Sequence, residues 1–152
     1  MFEVELKGGQ EMERGLFILK SATAKSLTRK AMRKALEPMR DLARAKAPRD
    51  SDELAESIEI GNRVRGQKRT QKSDLEVYVG PRGGKGGIAY GGQQEFGNVN
   101  HAAKPFMRPA WDATKLEVLV IFGREMWSNL EKSLARHHRK VAREAEKLKA
   151  GK

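Results

Sequence analysis

Residues 89–110 read AYGGQQEFGNVNHAAKPFMRPA, and the reading of that stretch organises everything on either side of it. Glycines, aromatics, two prolines and opposite charges are crowded together, which argues for a long loop rather than regular structure. Loops longer than about 12–15 residues inside a domain tend to serve binding or assembly. The entry is flexible through Gly91 and Gly92, the middle is an acidic-aromatic turn, Glu95-Phe96-Gly97, and the exit is a rigid corner, Pro105-Phe106-Met107-Arg108-Pro109-Ala110. That corner launches a helix. Pro109 suits a first helical position, where its missing N–H is not needed, and Asp112 complements the helix dipole in the first turn.

Downstream, Leu116, Leu119, Met126, Trp127, Leu130, Leu134, His138, Val141, Ala145 and Leu148 keep a 3.6-residue rhythm nearly to the end. A helix of that extent is about 60 Å long, more than a small domain can cover, so its far end is expected to project or to meet a partner. Upstream, eight of the fifteen glycines lie between Gly80 and Gly97, which reads as a mobile arm. Before it, Ile58, Ile60 and Val64, then Leu75, Val77 and Val79, alternate with polar residues across a basic connection. They read as an antiparallel hairpin. Leu27, Ala31, Ala35, Met39 and Leu42 share one helical face within a basic helix over 24–47. Pro38 is expected to kink that helix or to split it in two. Residues 11–21 read as a preceding helix, and Phe2, Val4 and Leu6 alternate as a short first strand.

A chain of 152 residues is one domain by length. Apolar residues make up 38% and charged residues 34%, against a usual charged share of about 25%. The core must be modest, which favours support from neighbouring subunits. With no cysteine, disulfides and thiolate metal sites are excluded, in keeping with a reducing cytoplasm. The start, MFEVELKGG, lacks a secretory pattern, and no apolar run approaches the ~20 residues that cross a bilayer, so a soluble protein with no membrane partner is expected. The formal charge of +11 attracts polyanions, whether nucleic acid or an acidic protein surface.

Chemistry is sparse. PRGGKGG around Lys85 has the wrong spacing for a phosphate loop, and Gly86 stands where Ser or Thr would hold magnesium. His137 and His138 are adjacent and diverge on a helix, unlike an i, i+4 metal pair. His101 has no evident nucleophile beside it and reads as a solvated residue. Carboxylates are scattered singly, so no paired acid and base emerges and no enzyme, metal or cofactor is expected. The basic residues Lys25, Arg29, Arg33 and Arg40 on one helix, and Arg136, Arg139, Lys140 and Arg143 on the last, are candidates for facing DNA. Acidic neighbours such as Glu37, Asp41 and Glu144 make a solvated face the plainer reading.

Tyr90, Glu95-Phe96-Gly97 and the Pro105–Ala110 corner together resemble the signature of the tail-component family of long-tailed, lambda-like bacteriophages, the small neck or tail-completion proteins. Upstream, Ala45-Lys46-Ala47-Pro48 followed by Leu54 and Ser57-Ile58 is similar to that family's AlaPro-x-Asp-x-Gly-x-Leu-x-x-Ser-Ile segment, with Asp52 and Glu53 where a glycine is usual. The resemblance spans about residues 25–115. It implies a structural virion subunit, made in the host cytoplasm, that forms a ring in the neck, completes the tail and joins it to the head. A terminator ring capping the tail tube is a near variant. A basic, non-specific DNA-binding protein is the alternative of another class. The implied partners are other copies of the chain, head-completion or connector proteins, tail-tube or terminator proteins, and genomic DNA in the channel. Tyr90, Glu95, Phe96, Gly97, Pro105, Phe106, Arg108 and Pro109 become the candidate interface, with Glu95 and Arg108 as an ion pair and Phe96 and Phe106 as apolar anchors. The expected fold is α+β: an antiparallel sheet of three to four strands packed by an N-terminal amphipathic helix and a long C-terminal helix, with a long Gly-rich loop. Residues 1–152 form one domain, of which 124–152 are a projecting basic helical extension.

Overall fold

The computed structural model describes residues 8–49, 52–62, 75–82 and 87–150, the side chains of 87–90 excepted. Six helices and a two-stranded sheet follow in the order α1 (Gly9–Ile18), α2 (Ser21–Ala35), α3 (Glu37–Lys46), α4 (Glu53–Ser57), β1 (Ile58–Gly61), β2 (Tyr78–Pro81), α5 (Gly87–Phe96) and α6 (Met107–Ala150) among the described residues. The fold is α+β, as expected, with fewer strands. β1 and β2 pair antiparallel, Ile58 opposite Pro81 and Ile60 opposite Val79. The strand expected at residues 2–6 lies outside the described residues, as do residues 63–74 between β1 and β2, Val64 among them; Leu75 and Val77, read as strand, precede β2.

Pro38 divides the basic helix in two. It occupies the second position of α3, where a missing N–H costs nothing, while Leu36 closes α2 through its N–H to Met32 O at 3.1 Å. Small residues on the inner faces, Ala31 and Ala35 of α2 and Ala43 of α3, are fully buried and let α6 lie close across both helices.

α6 joins two apolar clusters. Ala110 in its first turn packs with Phe106, Ala43, Ala47, Leu54 and Ile58, while Met126 and Leu130 pack with Leu19, Leu27 and Ala31. Packing continues to Leu134, which is half-buried against the second cluster. Beyond it, residues 135–150 are exposed apart from the half-buried His137.

The glycine-rich segment departs from the sequence reading. An arm was expected over 80–97, and a loop over 89–110; instead α5 runs to Phe96 and only ten residues separate it from α6. The reason is tertiary. A Cβ at Gly91 would stand 2.7 Å from Pro81 Cγ and within contact of Leu54, so the bare helical backbone seats directly on β2 and α4. Glycine's low intrinsic helix propensity, about 1 kcal/mol per residue, is outweighed by a close approach that only glycine permits.

Candidate functional site

The corner between α5 and α6 is built around a helix start. Gly97 ends α5 with φ of +72° and donates its N–H to Gln93 O at 2.8 Å, a left-handed C-terminal cap. No other residue type fits there, because a Cβ would meet Ala103 N and His101 O, both at 2.9 Å. The chain then turns back on itself. Asn98 and His101 exchange backbone hydrogen bonds at 2.9 and 3.2 Å, and Asn98 Oδ1 accepts from Asn100 N–H at 2.9 Å. Gln94 holds the returning strand twice, accepting Lys104 N–H at 2.7 Å through its carbonyl and meeting His101 Nε2 at 3.1 Å through Oε1.

Pro105 then directs Phe106 into the core, where it is fully buried. At this point the buried Glu95 carboxylate, 7% exposed, caps α6. Its Oε2 accepts the N–H of Phe106 at 2.8 Å and of Met107 at 2.9 Å, and Oε1 accepts that of Arg108 at 3.0 Å. Pro109 has no N–H, and the N–H of Ala110 donates to Phe106 O. Every orphan donor of the first turn is thereby satisfied, and the anion sits at the positive end of a 44-residue helix. Burial alone would push the Glu95 carboxyl up, but the three backbone donors and the nearby Arg108 charge outweigh it and hold the group below the usual carboxylate range.

This geometry revises three expectations. Glu95 bonds the backbone of α6 rather than the Arg108 guanidinium, which instead lies over the Phe96 ring, 5.0 Å from its centroid. Phe106 anchors the core, whereas Phe96 is 67% exposed and presents a ring held from one side by a cation. Pro109 falls at the third rather than the first helical position, where its missing N–H is equally harmless. The Tyr90 side chain lies outside the described residues. Trp111, one turn beyond Arg108, is also partly exposed, so an aromatic and cationic surface sits on a rigidly braced corner. The capping role of Glu95 escaped the sequence reading because the two segments it joins are not neighbours on any single helix.

The basic candidates are dispersed. Arg33 and Arg40 line a cleft with Arg44, Glu37 and Glu59; Arg33 donates to Asn62 Oδ1 at 3.2 Å and Arg40 pairs with Asp41 at 2.8 Å. Lys25 and Arg29 are half-buried on α2, and Arg29 Nε is buried without a hydrogen-bond partner among the described residues. Arg136 and Arg139 donate to the carbonyls of Lys132 and Ala135 on their own helix, Lys140 lies 3.7 Å from Glu144, and Arg143 is exposed. Among the described residues no group of acidic or histidine side chains is arranged to hold a metal, and no helix is long and apolar enough to cross a membrane.

A family model described as "Bacteriophage HK97-gp10, putative tail-component" matches residues 10–97, more than half of the chain. The match runs from α1 to Gly97, so it covers α5 and Glu95 and stops short of the partner corner. Neither a curated protein nor a solved structure matches the chain.

Proposed function

The chain belongs to the HK97-gp10-like family of bacteriophage tail components, and from that premise we propose that it assembles with copies of itself into a ring in the virion neck, completing the tail and joining it to the head. The observation that carries this reading is the braced corner. Glu95 locks α5 to the start of α6, and the locked edge displays Phe96, Arg108 and Trp111 to solvent. A rigid, exposed aromatic and arginine cluster is the composition of an interface hot spot, since little entropy remains to be lost on docking. Val99 at the tip of the same turn is fully exposed as well. The two-stranded sheet adds a second candidate means of association: among the described residues β1 and β2 pair only with each other, and the outer edge of either is a place where a neighbouring subunit would add a strand. A cap on the tail tube would use the same surfaces from a different level of the particle.

The test has two parts. Sedimentation of purified chain with its adjoining neck proteins is expected to give a closed ring, and imaging of intact particles is expected to place that ring between head and tail. Phe96→Asp should leave the chain folded, because the ring is solvent-exposed, yet abolish the oligomer. A Phe96→Asp variant that assembles as the parent does would remove the corner from the interface. Virions without the chain would end the reading altogether.

A further inference from the structure

Beside the packed faces of α2 and α6 runs an open cleft of about 400 Å³ that the corner does not touch. Thr23, Ser26 and Lys30 line it from α2, and Asn129, Ser133 and Arg136 line it from α6. Each trio advances by three and four residues, so each is one row on one helical face. The rows flank the Leu27 and Leu130 contact between the same helices. Small side chains at Ser26 and Ser133 keep the cleft open, and Ser133 is itself buried.

The chemistry of the lining is one-sided. Two cations, three hydroxyls and an amide face a common space, and no carboxylate lines it. Neither Lys30 nor Arg136 pairs with an acidic group among the described residues. Arg136 Nη2 reaches Ser133 Oγ at 3.4 Å, a contact that turns the guanidinium towards the cleft. Asn129 Nδ2 is buried and has no hydrogen-bond partner among the described residues. A buried unpaired donor is costly, and the exposed Lys30 and Arg136 set positive charge at the mouth of the cleft with no carboxylate beside them. A tetrahedral oxyanion in the cleft would accept from the hydroxyl, ammonium and guanidinium donors at once, and a turn of the Asn129 amide would bring its sealed donor to the same oxygens. The cleft also lies beside the first turns of α2, whose N-terminus favours negative charge.

We infer that this cleft binds a phosphate group, with Lys30 and Arg136 supplying charge and Asn129, Ser133, Ser26 and Thr23 supplying directed hydrogen bonds. The group is either a phosphodiester of nucleic acid or free phosphate; the recognising chemistry is the same. The site is independent of how copies assemble. It takes Arg136 from the dispersed basic rows but joins it to Lys30, three hydroxyls and a neutral amide in one cleft, rather than leaving it in a diffuse field.

Side-chain amide resonances of the full chain, followed by NMR, provide the test. Titration with inorganic phosphate at low ionic strength, and separately with a short DNA duplex, is expected to move the Asn129 side-chain signal. A shift with both probes, or with phosphate alone, identifies a site open to free phosphate, and a shift with DNA alone identifies a backbone phosphate; each supports the site. The double variant Lys30→Gln with Arg136→Gln should weaken binding about tenfold or more. Lys147→Gln with Lys149→Gln removes the same charge elsewhere and should weaken it far less. No movement of the Asn129 signal at saturation with either probe, or equal losses in the two double variants, overturns the inference. Sedimentation of the same variants reads ring formation separately, so failure of the cleft leaves the assembly reading standing.

Discussion

Glu95 is the residue on which the corner turns, and its protonation supplies a direct test. Its carboxyl is held below the usual range in the folded chain, so the stabilisation is fully present above the ordinary carboxyl value of about 4.3 and is lost as the pH falls through the depressed folded value. Glu95→Gln keeps the shape but not the charge, and should lower unfolding free energy by about 1–2 kcal/mol near neutrality. Denaturant curves of the two proteins should then converge in acid; curves that stay equally separated from about pH 7 to about pH 2 would show that the charge contributes nothing. Gly97→Ala forces a side chain into a left-handed backbone against two backbone atoms at 2.9 Å, and is expected to cost more than about 1 kcal/mol in the same assay. A thermal midpoint equal to that of the parent would contradict the tightness of this turn. Phe96 and Phe106 were expected together as apolar anchors and only Phe106 is buried, and nothing local in the sequence says that Glu95 reaches across eleven residues to the N–H of Phe106.

At the scale of elements, α6 divides into a packed portion and a free one. Met126 is buried in the second apolar cluster, whereas every residue from His138 to Ala150 is exposed. Met126→Ala should therefore cost about 2–5 kcal/mol, while ending the chain after His138 should change stability by no more than about 0.5 kcal/mol. A large loss on truncation, read by urea unfolding, would mean that the terminal helix supports the body after all. The periodicity of α6 and the break at Pro38 could be read directly, because one follows from repeated apolar spacing and the other from a missing N–H. α5 could not, since glycine's local preference points away from a helix and the reason it forms one is the surface of Pro81 and Leu54.

Across the whole molecule the charge of +11 is spread over several faces, partly offset by Glu37, Asp41, Glu59 and Glu144. If the ring encloses DNA through six or more phosphate contacts per assembly, affinity should fall by about a thousandfold between roughly 50 and 200 mM salt. A nearly flat dependence, measured by fluorescence anisotropy with a duplex, would exclude a DNA-lined channel without touching the subunit contacts. The sequence by itself determined the α+β class, the helices before the short hairpin, the long terminal helix and the tail-component family, because these rest on spacing, on proline and glycine chemistry and on short motifs each local in the chain. Only the tertiary structure decided that α5 is helical, that Glu95 caps α6 while Arg108 covers Phe96, and that Lys30 and Arg136 share a cleft with Asn129. Those features depend on which distant surfaces meet, and the meeting is set by small residues buried between α2, α3 and α6, whose role is visible only once the helices are packed.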